Sequence, residues 1–441
     1  MVTYDLEHTS IVDLTNRLIM AAVKAKASDI HMDPVENGIK IRYRVDGDLQ
    51  DHTLIPKEYE RNLTTRVKLI SNMNITETRL PQDGAIKGRI DGTDLDMRVS
   101  VLPTNEGEKV VIRILDYTRS LAGLEALNFS HKNFKKISKM LTVPNGIILV
   151  TGATGSGKST TTYSMLESLN KEETNIITVE DPIEMNLEGV NQVQVNSDIG
   201  MTFAAALRSI LRQDPNVILI GEIRDSETAQ IAVRASITGH LVLSTIHTNS
   251  SLSTIERLMD MDVERYLLST ALEGIISQKL ARTLCENCKT LRRTTPYERE
   301  VFKKVLNKDV PEVFDACKNS SKVCGKCRNG YRGRLGIHEV LLINDHIRDA
   351  LNNTSLKKED LRDMVYTDDV TTMLQDGLEK VLEGYTTFEE IYKLIEIEVD
   401  LDNKYGENGT DKPMIKEDDE KEKTNQEGNG SMSSSVGETK N

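Results

Sequence analysis

Tryptophan is missing from this 441-residue sequence and aromatic residues make up only 4% of it, so it offers little surface for stacking bases. An excess of positive charge is missing too. Asp and Glu total 69 against 56 Lys and Arg, giving a net charge of -13, whereas nucleic-acid binding is dominated by neutralising phosphates with Lys and Arg. The expectation is a protein with no nucleic-acid partner. No run approaches the roughly 18 apolar residues of a membrane-spanning helix. Met1 to Ser10 carries Asp5 and Glu7 where a signal peptide would be basic and then apolar, so the expected location is the cytoplasm. Cysteine is scarce as well, with five in the chain. Four of these form the pairs Cys285/Cys288 and Cys324/Cys327, and in a reducing compartment such pairs more often hold metal than disulfides.

What the chain does have is length enough for two or three domains. Residues 11 to 27 place apolar side chains at helical spacing, with Ser10 available as an N-cap. From Ile39 to Leu49 the pattern alternates and is broken by Asp46-Gly47, a hairpin signal. Further strands are expected at Asp94 to Val101 and Lys109 to Leu115, so the first ~115 residues read as α+β. Beyond a polar connector, short apolar runs alternate with helical segments. The runs are Gly146 to Val150, Asn175 to Val179, Val217 to Ile220 and Leu241 to Thr245. Uninterrupted apolar strands belong in a sheet covered on both faces, which makes this part α/β. Helices are expected from about His346 to Val399, and beyond Asp402 the composition is too polar to fold.

The run Gly152, Ala153, Thr154, Gly155, Ser156, Gly157, Lys158, Ser159, followed by Thr160, fits G-x-x-x-x-G-K-[S/T] between a strand and a helix. Backbone amides of such a loop converge on phosphate oxygens at a helix N-terminus. ATP is the expected ligand, with Lys158 on the β- and γ-phosphates and Ser159 on Mg²⁺. Hydrolysis also needs acidic groups at neighbouring strand ends. Glu222, in Gly221-Glu222-Ile-Arg224-Asp225, is the first candidate to orient or deprotonate the attacking water. Glu180, in Glu180-Asp181-Pro182-Ile-Glu184, is the second, through the Mg²⁺ shell; Asp181 and Glu184 also read as strand-end caps. The strand Leu241 to Thr245 is bracketed by two histidines, of which His247 is the first candidate γ-phosphate sensor and His240 the second.

The cysteines read C-x-x-C, a gap of about 35 residues, then C-x-x-C, longer than the commonest zinc ribbon but with both knuckles intact. Four thiolates close a tetrahedral site, so Cys285, Cys288, Cys324 and Cys327 are expected to hold a structural Zn²⁺. Cys317 lies outside both pairs.

Further segments occur in a fixed order along the chain: Ala27-Ser-Asp-Ile-His-Met-Asp33, Arg79-Leu-Pro-Gln-Asp-Gly84, Arg98-Val-Ser-Val-Leu-Pro-Thr104 and Gly107-Glu-Lys-Val-Val-Ile-Arg113. Together with the phosphate loop, the two acidic segments and the histidine segment, they resemble the secretion ATPases of type II secretion and type IV pilus assembly. The resemblance covers roughly Ile11 to Ile397. It implies an α/β protein in which a RecA-like P-loop ATPase domain follows a PAS-like α+β domain and carries an inserted four-cysteine zinc module. The divisions are a PAS-like domain at 1–117, a linker at 118–131, the ATPase core at 132–283, the zinc module at 284–335, a helical subdomain at 336–400 and a disordered acidic tail at 401–441.

The same resemblance implies a homo-hexamer, peripheral at the inner face of the membrane, that works on an inner-membrane platform protein. It also implies that Arg98 and Arg113 reach the nucleotide from the first domain. Family members of the assembly type often carry a further amino-terminal docking domain, whereas this chain begins almost directly with the PAS-like segment. The cysteine module favours assembly over retraction, because family retraction motors generally lack it. A retraction motor of the same family, a RecA-like nucleic-acid translocase and a non-hydrolysing ATP-binding scaffold are the alternative readings.

Overall fold

The computed structural model describes residues 2–6, 8–90, 93–115, 123–317, 324, 325, 327–353, 355, 356, 358–367 and 369–395. The expected acidic tail at 401–441, residues 118–122 of the expected linker and residues 396–400 of the expected helical subdomain lie outside the described residues.

The first lobe opens with a helix, Ile11–Lys24, whose N-cap Ser10 accepts a hydrogen bond from the backbone N–H of Asp13. Leu14, Leu18, Ile19 and Ala22 form its buried stripe. Six strands follow: β1 (Asp29–Val35), β2 (Gly38–Val45), β3 (Asp48–Pro56), β4 (Gln82–Ile90), β5 (Thr93–Thr104) and β6 (Gly107–Leu115). They form one antiparallel sheet in the order β3-β2-β1-β6-β5-β4. Asp46 and Gly47 close the β2–β3 hairpin with φ of 52° and 98°, the left-handed backbone that a two-residue hairpin requires. The first helix packs with a second, Lys57–Ile70, against this sheet. On β1 the alternation sends Ile30 and Met32 into the core and turns Asp29, His31 and Asp33 to the other face.

The second lobe is built on β7 (Gly146–Thr151), β8 (Ile176–Glu180), β9 (Asn191–Gln194), β10 (Val217–Ile220), β11 (Leu241–Ile246) and β12 (Leu272–Leu284). A separate two-stranded antiparallel sheet, β13 (Thr290–Arg293) and β14 (Glu312–Asp315), is joined through a helix at Pro296–Leu306, and β15 (Tyr331–Leu342) returns to β12. The main sheet runs β15-β12-β7-β11-β10-β8-β9, parallel throughout except for the antiparallel β15. Every residue of β7, β8, β10 and β11 is buried, as strands covered on both faces must be.

The expected division at residues 335 and 336 falls inside β15. Residues 336–342, assigned to a helical subdomain, are strand, because β15 pairs with β12 from Leu342 opposite Gly274 to Tyr331 opposite Leu284. The two lobes touch through side chains. Arg98 donates to the carbonyl of Ile183 (2.6 Å), the backbone N–H of Gly333 donates to Asp46 (2.9 Å), and Arg282 stands 3.5 Å from Asp48.

Candidate functional site

The parallel strands end at one edge of the sheet, where an open α/β sheet places its ligand crevice. From β7 the chain enters the loop of Gly152 to Gly157, and the helix Lys158–Leu169 begins directly after it. Gly152, Gly155 and Gly157 have φ of 149°, 78° and 90°. A Cβ on Gly152 would lie 2.4 Å from the carbonyl oxygen of Gln278, whereas one on Gly155 would meet nothing within 4 Å. The loop is therefore tight at its base and open at its tip. The first amides of the helix have no intrahelical acceptor and face an anion site by construction.

Gln278, on β12, braces this loop. Its Nε2 donates to the carbonyl of Ser156 (2.8 Å) and its Oε1 accepts from Thr161 Oγ1 (2.8 Å). Nothing in the local sequence flags this residue, because its partners come from a distant segment. The Lys158 ammonium is buried and donates to the loop's own carbonyls, Gly152 (2.9 Å) and Ala153 (3.2 Å). Burial lowers its pKa, with Glu222 pulling the other way. A desolvated ammonium held only by carbonyl oxygens is a good fit for a phosphate oxygen.

A cleft of 860 Å³ lies over this loop. Thr154, Gly155, Gly157, Lys158, Ser159 and Thr160 line it from the loop and helix, whereas Gly152 and Ser156, both buried, and the exposed Ala153 are outside the lining. Glu222 and Arg224, after β10, and His247, after β11, line the far wall. Glu222 is 9% exposed; one carboxylate oxygen pairs with Arg224, and the other stands 3.3 Å from His247 Nε2. Ser28, Asp29, Arg44 and Arg113 close the cleft from the first lobe.

The remaining predicted residues fall elsewhere. Glu180 is buried and outside the cleft lining. Its carboxylate accepts from the Tyr163 hydroxyl, from Thr178 Oγ1 (2.5 Å) and from Gln192 Nε2 (3.1 Å). Tyr163 in turn accepts from the backbone N–H groups of Glu184 and Met185, so Glu180 shapes the segment that follows it. Arg98 grips that same segment at Ile183 and lies outside the cleft lining, whereas Arg113 is part of it. His240 sits before β11, at the opposite end of the strand from His247, with Nδ1 3.0 Å from the Ala235 carbonyl. The bracketing histidines thus face opposite edges of the sheet, and His247 is the one in the cleft.

The four paired cysteines meet between the end of β12 and the start of β15. Their sulfur atoms all lie within 4.8 Å of one another, with Cys285–Cys324 at 3.5 Å and Cys288–Cys327 at 3.3 Å. A tetrahedral site with metal–sulfur bonds of about 2.3 Å has sulfur–sulfur edges of about 3.8 Å, so the cluster fits one. Burial, with hydrogen bonding among the neighbouring thiols, raises the pKa of Cys288, and a divalent cation would reverse this by holding the thiolate. Cys317 is buried and not one of the four.

A family model described as "Type II/IV secretion system protein" matches residues 5–393. The chain belongs to that family. It is 47% identical over 389 residues to the type II secretion system protein E of Dickeya dadantii, spanning 87% of this chain and 75% of that one. It is 43% identical over 391 residues to the type II secretion system ATPase E of Vibrio cholerae, with the same shares covered. Among solved structures it resembles the pilus retraction motor PilT with bound ADP, at a TM-score of 0.60 and 28% identity, over 86% of this chain and 96% of that one. The ATPase DotB of Legionella pneumophila, at a TM-score of 0.64 and 19% identity over 88% and 96%, shares the fold. The resemblance drawn from the ordered motifs is borne out, as is the α/β, RecA-like reading of the second lobe.

Proposed function

We propose that this chain is the ATPase of a type II secretion system or pilus-type assembly machine, turning ATP hydrolysis into movement of its two lobes. One observation carries the reading: the buried Lys158 of the phosphate loop, the Glu222–His247 pair and Arg113 of the other lobe line a single cleft. Lys158 and the loop amides bind the triphosphate. Ser159 would hold Mg²⁺, which supplies neutralising charge at the phosphates. Glu222 orients the attacking water and receives its proton, and His247 fixes the carboxylate from the neighbouring strand end. Arg113 meets the charge developing on the transferred phosphoryl group, which ties closure of the lobes to the chemistry.

The working form in this reading is a homo-hexamer in the cytoplasm, peripheral at the membrane through an inner-membrane platform protein that receives the motion. Among the described residues no helix is long and apolar enough to cross a membrane. Zinc in the four-cysteine cluster is structural, since four thiolates leave no open position. Phosphate release by the purified chain tests the proposal. Turnover that requires Mg²⁺ and disappears in Lys158→Ala is expected; a chain that binds ATP without releasing phosphate would leave only a nucleotide-gated scaffold.

A further inference from the structure

The segment Ala27 to Asp33 marks the family in the sequence, yet the chemistry above gives it no task. Asp29 lies on β1 directly opposite Arg44 on β2 and directly opposite Arg113 on β6. Cross-strand neighbours at this spacing interact through their side chains. Asp29 Oδ1 accepts from Arg113 Nε at 3.0 Å. Oδ2 accepts from Ser28 Oγ at 2.8 Å and stands 3.6 Å from Arg44 Nε. Arg44 Nη1 also donates to the carbonyl of Gly47 at 2.7 Å, in the tight turn of the hairpin. The carboxylate side chain is 8% exposed, whereas Arg44 and Arg113 are 36% and 60% exposed. Ser28, Asp29, Arg44 and Arg113, every member of this group except Gly47, line the cleft over the phosphate loop.

A carboxylate in a cleft built for a polyanion repels the ligand unless it does something else there. The same strand supplies the contrast. Asp33 takes Arg42 through both Nε (2.7 Å) and Nη2 (2.6 Å), and also pairs with Lys109. That pairing occupies the end of the guanidinium, and neither Asp33 nor Arg42 lines the cleft. Asp29 instead engages Arg113 at Nε, beside the aliphatic stem. A guanidinium held there has its plane fixed: Arg113 keeps both terminal amino groups for another anion, whereas Arg44, whose Nη1 is taken by the Gly47 carbonyl, keeps Nη2.

We infer that Asp29 is a positioning residue that aims two guanidiniums, Arg113 and the unforeseen Arg44, at the phosphates across the cleft. This rests on the reading of the cleft as the ATP site. Because Asp29 subtracts charge, its loss by simple electrostatics favours nucleotide binding; because it fixes the arginines, its loss slows turnover. The two effects have opposite signs, which separates positioning from general damage.

The experiment uses the full chain and measures Mg²⁺-dependent ATP turnover alongside affinity for a non-hydrolysable ATP analogue. Asp29→Asn is expected to lower kcat at least about tenfold while analogue affinity stays within about threefold or rises. In an Arg44→Gln/Arg113→Gln background the same change is expected to add little, since the groups it acts through are gone. A kcat within twofold of the parent, an affinity that falls in step with kcat, or full additivity in that background overturns the inference. Should Asp29→Asn fail to fold, the half-exposed Arg44→Gln decides: slower turnover at unchanged thermal stability supports it, and unchanged turnover overturns it. The parent and Lys158→Ala run beside these variants. Lys158-dependent turnover in a parent whose Asp29→Asn variant is unaffected rejects this inference alone, whereas a parent without such turnover rejects the ATPase reading and this inference with it.

Discussion

His247 Nε2 stands 3.3 Å from Glu222 Oε2, each side chain leaving the end of one of two adjacent parallel strands. His247 meets the carboxylate oxygen that Arg224 does not. Glu222→Gln keeps the shape and removes the proton acceptor, so kcat is expected to fall about 10²- to 10³-fold with ATP affinity little changed. His247→Ala is expected to cost less, and the double variant to fall short of the product of the two. Steady-state turnover with analogue binding checks this; additive losses would mean the two residues act separately.

Gln278 is 2% exposed and its amide serves both the loop and the helix that follows it. Gln278→Ala strands the Ser156 carbonyl and the Thr161 hydroxyl in a dry site, a cost of about 1–3 kcal/mol in stability. The loop also loses its brace, so KM for ATP is expected to rise more than kcat falls. Denaturant unfolding and a Michaelis series give the two numbers.

The four thiols pack closely enough to bind one Zn²⁺ per chain. Elemental analysis of protein purified without added metal is expected to return about one zinc. Cys285→Ser, or a strong chelator, is expected to lower the thermal midpoint of the module more than it slows turnover per folded molecule, because structural zinc contributes folding free energy. Zinc near zero, or a melting curve indifferent to chelation, contradicts it.

His338 is fully buried on β15, its ring 4.0 Å from that of Phe129, and burial holds its pKa well below the usual value of 6.5, with Lys380 adding to the effect. The unfolded chain therefore takes up a proton below pH 6.5 that the folded chain refuses. Stability is lost as pH falls through that window, by up to about 1.4 kcal/mol per pH unit. His338→Leu removes this titration, so the slope of stability against pH between 6.5 and 5 is expected to flatten. Denaturant titrations at a series of pH values measure it; an identical slope in both proteins refutes the assignment.

Much of the molecule was legible because its signals are local. The buried strands β7, β8, β10 and β11 are apolar from end to end, the Asp46-Gly47 turn needs left-handed backbone, and the phosphate loop needs its glycines. What escaped depends on pairing between distant segments. β15 reads as the seam between a cysteine module and a helical subdomain until β12 is seen beside it, and Gln278 gains its meaning only from Ser156 and Thr161. The same holds for Arg44, whose role comes from a carboxylate on the next strand. Glu180 and His240 illustrate the converse. Each has the right chemistry beside the right strand, but Tyr163 holds one in the interior and the direction of β11 places the other at the wrong edge.

β12 ends at Leu284 and the first metal-type cysteine is the very next residue; β15 begins at Tyr331, shortly after the last. Among the described residues, none separates Cys285 from β12 and only 328–330 separate Cys327 from β15, so the cluster follows the sheet's orientation like a pointer fixed to a dial. A cobalt ion substituted at the thiolates, paired with a spin label on the first lobe, would report through the distance between the two whether that sheet moves against the first lobe when nucleotide binds.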